Sequence, residues 1–149
     1  MYQAGTLSGN PLATAAGLAV LSEVTEKDYA ELTARAGRFA TRLTSAIADG
    51  GLAVTVPVVG PLVGLILAPG SGGPLAAPVD YVTAHQLASN GVYPRFFHAM
   101  LRRGIALAPG AYEVMFPGLA HSDEVLDSVV SAAGDAAREV AKDLLSSVG

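Results

Sequence analysis

The chain has 149 residues, 51% of them hydrophobic and only 15% charged, with no cysteine and a net charge of −4. That length suits one domain with a small extra piece, burying about two-thirds of its unfolded surface, and a mean hydropathy of +0.44 excludes disorder. Seven Arg and two Lys are scattered rather than clustered, which argues against a nucleic acid or anionic membrane as partner, and the lack of Cys rules out disulfides, thiolate metal sites and a thiol nucleophile.

The charged share of 15% falls short of the roughly 25% of an average globular chain, so some apolar surface is expected to be covered by another chain or domain. The N-terminus has no basic segment followed by an apolar run, and with no Cys the expected setting is cytoplasmic.

In chain order, the first informative stretch is Gly5-Thr6-Leu7-Ser8-Gly9-Asn10-Pro11. Its glycines permit a tight turn, Asn10 is a good N-cap, and Pro11 at the first helical position has no orphan N–H. Two hydroxyls and backbone N–H groups beside a helix N-terminus can hold an anion such as phosphate; the same residues also make an ordinary connector. A helix is predicted over 11–22. A second begins near Asp28 as N-cap and runs to Gly50-Gly51, with Tyr29, Leu32, Ala36, Phe39, Leu43 and Ile47 as its buried stripe and Glu31–Arg35 as an outer pair.

Residues 50–79 hold no charge, but Pro57, Pro61 and Pro69 break the run, so strands over 52–58 and 62–68 with a Gly60-Pro61 turn are expected rather than a membrane span. A Gly/Pro-rich loop follows over 69–78. Residues 79–89 stay open between a short helix and an irregular segment. A helix over 94–103 turns Phe97, Met100 and Leu101 inward and stops at Gly104; strands follow at 105–107 and 113–116. Ser122 caps a final helix with Asp123 and Glu124 in its first turn and Val125, Leu126, Val129, Val130, Ala133, Ala137, Val140 and Leu144 on its apolar face. The expected fold is α/β, a small sandwich with a sheet covered on one face.

Two blocks carry a resemblance. Tyr2-Gln3-Ala4-Gly5-Thr6-Leu7-Ser8-Gly9-Asn10-Pro11-Leu12 with Ala15-Ala16-Gly17-Leu18 resembles one stretch of the glutamate-1-semialdehyde 2,1-aminomutase family, within the pyridoxal-phosphate (PLP)-dependent, fold-type I class III aminotransferases. Phe96-Phe97-His98-Ala99-Met100-Leu101-Arg102-Arg103-Gly104-Ile105-Ala106-Leu107-Ala108-Pro109, with Tyr112 to Phe116 and Ala120-His121, is similar to a second stretch of the same family. The resemblance implies a C-terminal portion: residues 1–27 as the end of the large PLP-binding domain, and 28–149 as the C-terminal small domain.

It also implies that Gly5 and Thr6 reach the cofactor phosphate of a neighbouring subunit, so that a homodimer or a missing N-terminal portion is the partner. Glu113 would stand near the active-site entrance and meet a small amino-acid substrate; by itself it reads equally as a solvated strand-end carboxylate. Gly110, Met115 and Gly118 depart from the family pattern, as does the 69–78 loop. The Schiff-base lysine and the aspartate facing the pyridine nitrogen lie upstream in the family. The two lysines here, Lys27 and Lys142, read as surface residues.

No catalytic residue and no metal site are therefore expected; His85, His98 and His121 lack ligand spacing, with His98 structural and His121 part of a helix-capping region. The chain by itself is expected to be inactive and Met1 to be an internal point of a longer sequence. The rival expectations are a non-catalytic remnant or dimerisation module, and the C-terminal part of another class III aminotransferase.

Overall fold

A computed structural model describes residues 5–70 and 72–146. Helix α1, Pro11–Glu23, starts as its residues dictate: the Asn10 side chain accepts from the N–H groups of Leu12 and Ala13, and Pro11 occupies the first helical position. Its residues are apolar nearly all round, and every one of them is exposed. Val24 then turns to an extended conformation.

Helix α2, Glu26–Asp49, begins three residues earlier than Asp28 as N-cap predicts. Thr25 is the N-cap and Asp28 its reciprocal partner: the Thr25 hydroxyl accepts from the Asp28 N–H while the Asp28 carboxylate accepts from the Thr25 N–H at 2.8 Å. The stripe Ala36, Phe39, Leu43 and Ile47 is buried as expected and Leu32 is half-buried, but Tyr29 is 51% exposed because the first turns of α2 lie outside the core. Gly50 caps the end and Gly51, at φ +94°, reverses the chain.

The charge-free segment forms strands in shorter pieces than predicted. They are β1, Ala53–Thr55; β2, Val58–Val59; β3, Leu62–Val63; and β4, Ile66–Ala68. Pro57 and Gly64 interrupt the two runs where they cross: the Gly64 N–H donates to the Pro57 carbonyl at 2.8 Å, and a Cβ on Gly64 would come within 2.8 Å of Pro57 Cγ. β2 and β3 form a hairpin around Gly60-Pro61 with Val58 opposite Val63. β1 pairs antiparallel with β4, Val54 opposite Leu67, and parallel with β5, Gly73–Pro74, which places a short edge strand inside the expected loop. On β1, Val54 is buried between half-buried neighbours, so one face of this sheet meets the core.

Helix α3, Tyr81–Ala88, settles the open segment: Asp80 caps it by accepting from the Thr83 N–H and hydroxyl. Helix α4, Val92–Arg102, stops at Gly104 with φ +78°. Its inward residues are Val92, Tyr93, Phe96, Ala99 and Met100; Leu101, expected inside, is 48% exposed, and Phe97 is half-buried. The predicted strands at 105–107 and 113–116 are absent from this structure. Only Met115 makes a bridge, exchanging backbone hydrogen bonds with Val63 at 2.8 and 3.1 Å, because Pro109, Gly110 and Pro117 leave no ladder to extend.

Helix α5, Asp123–Ser146, begins at Ser122, whose hydroxyl accepts from the Val125 N–H, with Asp123 and Glu124 in the first turn. Leu126, Ala133, Ala137 and Val140 are buried; Val125 is 44% exposed, lying off the stripe. The end of α2 packs closely on α5 at Gly50, where a Cβ would lie 2.5 Å from Ala137 Cβ. Arg42–Asp127 and Arg102 and Arg103 with Glu139 tie α5 to α2 and α4 from outside. The class is α/β, with helices predominating over two small sheets.

Candidate functional site

Gly5 and Thr6 open a turn closed by Ser8 N–H to the Gly5 carbonyl at 3.0 Å and Asn10 N–H to the Leu7 carbonyl at 3.1 Å. Gly9 sits at φ +77°, a conformation that favours glycine. A Cβ on Gly5 would lie 3.0 Å from the Ser8 hydroxyl oxygen, so the turn is tight on that side too. Because Asn10 already satisfies the N–H groups of Leu12 and Ala13, and Pro11 has none, the helix offers an anion its dipole but not its first donors. The donors left for an anion are those of the turn: Thr6 makes no hydrogen bond among the described residues and is exposed. Tyr2, Gln3 and Ala4 of the first resembling block lie outside the described residues.

The second candidate region lies on the body. A cleft of about 170 Å³ is walled by Leu65, Ile66 and Leu67 from the strands, Leu87 of α3, and Tyr112 and Glu113 of the loop between α4 and α5. It is apolar apart from the Glu113 carboxylate and the phenols of Tyr93 and Tyr112. Glu113 is exposed on an irregular segment, not a strand end; its N–H bonds the Gly110 carbonyl at 3.2 Å, and its carboxylate folds back over Gly110, 3.0 Å from where a Cβ would stand.

Tyr93 is buried, and its hydroxyl donates to the Ala108 carbonyl at 2.6 Å. Burial first, and then the negative charge of Glu113, push the Tyr93 pKa up, so the phenol stays a donor. On the rim, His85 Nδ1 and the Tyr112 hydroxyl are 2.9 Å apart, and the Tyr81 and His85 rings stack at 5.7 Å.

The remaining candidates are placed plainly. His98 is exposed, edge-on to Phe97 at 5.2 Å rather than in the core. His121 accepts from the Gly118 N–H at 2.9 Å and closes the turn before α5. Lys27 and Lys142 are both exposed. Among the described residues no group of three His, Asp or Glu could hold a metal ion, and no helix is long and apolar enough to cross a membrane.

The two candidate regions are not brought together. α1 and residues 5–9 are exposed, and no hydrogen bond or ion pair among the described residues joins them to the cleft. Two further roles, of Tyr93 and of Arg35 beyond its pair with Glu31, escaped the sequence reading. Tyr93 gave a usable signal, because a tyrosine on the apolar stripe of a helix needs a partner for its hydroxyl. Arg35, which donates to the His121 carbonyl at 3.0 Å, gave none, since its partner lies 86 positions away.

Compared with known proteins, the chain matches no family-wide sequence profile. It is 40% identical over 134 residues to a protein of Desulfosudis oleivorans named "Glutamate-1-semialdehyde 2,1-aminomutase", and 41% identical over 134 residues to one of Leptothrix cholodnii with the same name. Each alignment covers 89% of this chain but 30% of the relative, so the chain spans about a third of the length of the curated relatives it matches.

Proposed function

We propose that this chain, which belongs by sequence to the glutamate-1-semialdehyde 2,1-aminomutase family over 89% of its length, is the C-terminal part of a PLP-dependent enzyme converting glutamate-1-semialdehyde to 5-aminolevulinate. The observation that carries this reading is the identity of 40–41% sustained over 134 residues. The fully exposed, apolar α1 supports it, because a helix hydrophobic all round is stable only where other polypeptide surrounds it. In this reading residues 1–27 belong to the large domain and 28–149 form the small domain of a fold-type I enzyme.

The residues present fit one end of PLP. Thr6 would donate its hydroxyl and N–H to the phosphate, Gly5 would allow the close approach, and the α1 dipole would favour the negative charge. Neither lysine is near a cavity that could receive the aldehyde end, so that partner comes from sequence outside these residues, in the same chain or in a second subunit. When bound, the cofactor supplies an electron sink and a carrier for the amino group. Glu113, the one charged group on the apolar cleft, would face the substrate side and attract an amine.

The test combines this chain with a lysine-bearing segment equivalent to the rest of the relatives' length and measures 5-aminolevulinate formation. Turnover on mixing, absent from either part alone, supports the reading, and no association between the parts would sink it. In the assembled enzyme Thr6→Val should release PLP more readily, read from cofactor absorbance after gel filtration; unaltered retention removes the phosphate role of Thr6. A second reading, a non-catalytic dimerisation module, is favoured by the exposure of both lysines, and is the outcome if the parts associate without turnover.

A further inference from the structure

We propose that Tyr93 is a positioning residue for Glu113: its buried phenol straps down the start of the loop that carries the carboxylate. The inference rests on the reading of Glu113 as the substrate-side group. Residues 103–122 contain no helix or strand beyond the Met115 bridge, so the path of this loop is set by a few attachments rather than by a ladder. Tyr93 holds it at Ala108, the Val63 backbone holds it at Met115, Arg35 holds it at the His121 carbonyl, and His85 meets the Tyr112 hydroxyl at 2.9 Å. Glu113 lies between the first two attachments.

Of these, the Tyr93 strap has the firmest root. Tyr93 is 6% exposed, and its neighbours on α4, Val92 and Phe96, are fully buried, so the ring cannot follow the loop if the loop moves. The hydroxyl to carbonyl distance of 2.6 Å is that of a good O–H donor bond. Only four residues separate Ala108 from Glu113, and Pro109 stiffens the first step, which keeps the carboxylate close to the strap. Tyr93 and Glu113 both line the cleft.

Tyr93→Phe keeps the ring and removes only the strap. In the 149-residue chain, hydrogen exchange should quicken at 110–114 while α2 and α5 keep their protection, which also reports that the variant is folded. In the assembled enzyme the KM for glutamate-1-semialdehyde should rise roughly threefold to tenfold, the scale of one neutral hydrogen bond, with kcat nearly unchanged. If Tyr93 acts through Glu113, then Tyr93→Phe adds nothing to the KM of Glu113→Gln.

Unchanged exchange at 110–114 overturns the strap outright. An altered KM in Glu113→Gln with an absent or fully additive effect of Tyr93→Phe overturns the role of Tyr93 alone. An unchanged KM in Glu113→Gln removes the substrate-side reading of Glu113, and this role with it.

Discussion

α1 and α2 are separated by only Val24 and Thr25, yet they solve opposite physical problems. α2 carries one apolar stripe and buries Ala36, Phe39, Ala40, Leu43 and Ile47 against the strands and α5. α1 is apolar on every side and buries nothing. A stripe needs one complementary surface, which the chain itself provides; an all-round apolar helix needs several, and the described body offers it none. With 13 residues α1 also sits near the length where an isolated helix is marginal in water, so its cap and its propensity alone leave it weakly held.

The comparison can be broken most forcefully from the body. Phe96→Ala should destabilise the chain by about 3–5 kcal/mol in urea unfolding, because the site is fully buried and a cavity remains. Gly50→Val comes next, at about 1–3 kcal/mol, since any Cβ meets Ala137 Cβ at 2.5 Å and the Gly134 carbonyl at 2.9 Å; a neutral result would mean α2 and α5 slide freely.

Thr25→Ala removes the cap at the boundary between the two regions and should lower stability by about 1 kcal/mol. This effect has a pH signature. The Thr25 hydroxyl, and then its N–H, hold the Asp28 pKa below the ordinary carboxylate value. A folded pKa below the unfolded one contributes stability above the unfolded value, near 3.9, that fades as pH falls through the folded value. Wild type and Thr25→Ala should therefore converge in thermal melts below about pH 4. The smallest effect belongs to α1: Leu18→Ala should leave urea unfolding of the isolated chain within about 0.5 kcal/mol of wild type. A loss on the scale of Phe96→Ala would show α1 docked on the body and erase the contrast.

Four of the five described helices were legible because they announce themselves locally; α3 stayed open. Asn10-Pro11, the stripe from Ala36 to Ile47, Gly50-Gly51, Gly104 and Ser122 all act where sequence reasoning put them. The strands were less so. The 52–58 and 62–68 runs read as continuous β, but Pro57 and Gly64 cross and split them into pieces of two or three residues. At 105–107 and 113–116 the apolar residues were real and the ladder was not, since a strand exists only by its partner. On α4 the buried stripe runs through Val92, Tyr93, Phe96, Ala99 and Met100, which leaves Leu101, expected inside, at its exposed edge.

For the candidate site, the Gly5–Pro11 turn could be drawn from its residues, but not that Asn10 consumes the helix donors, which depends on one side-chain rotamer. Glu113 could be singled out, but not the cleft beside it or the attachments that hold its loop.

The sequence by itself determined four of the helices, the Asn10 and Ser122 caps, the apolar stripes of α2 and α5 and the likeness to the aminomutases, because those rest on neighbours within four positions or on residue identity. Only the tertiary structure decided which apolar residues are buried, where the short strands pair, and that Tyr93 and Glu113 line one cleft while Tyr93 holds Ala108. Those outcomes turn on contacts between distant positions, and the free energy of such a contact exists only once both partners have been brought together.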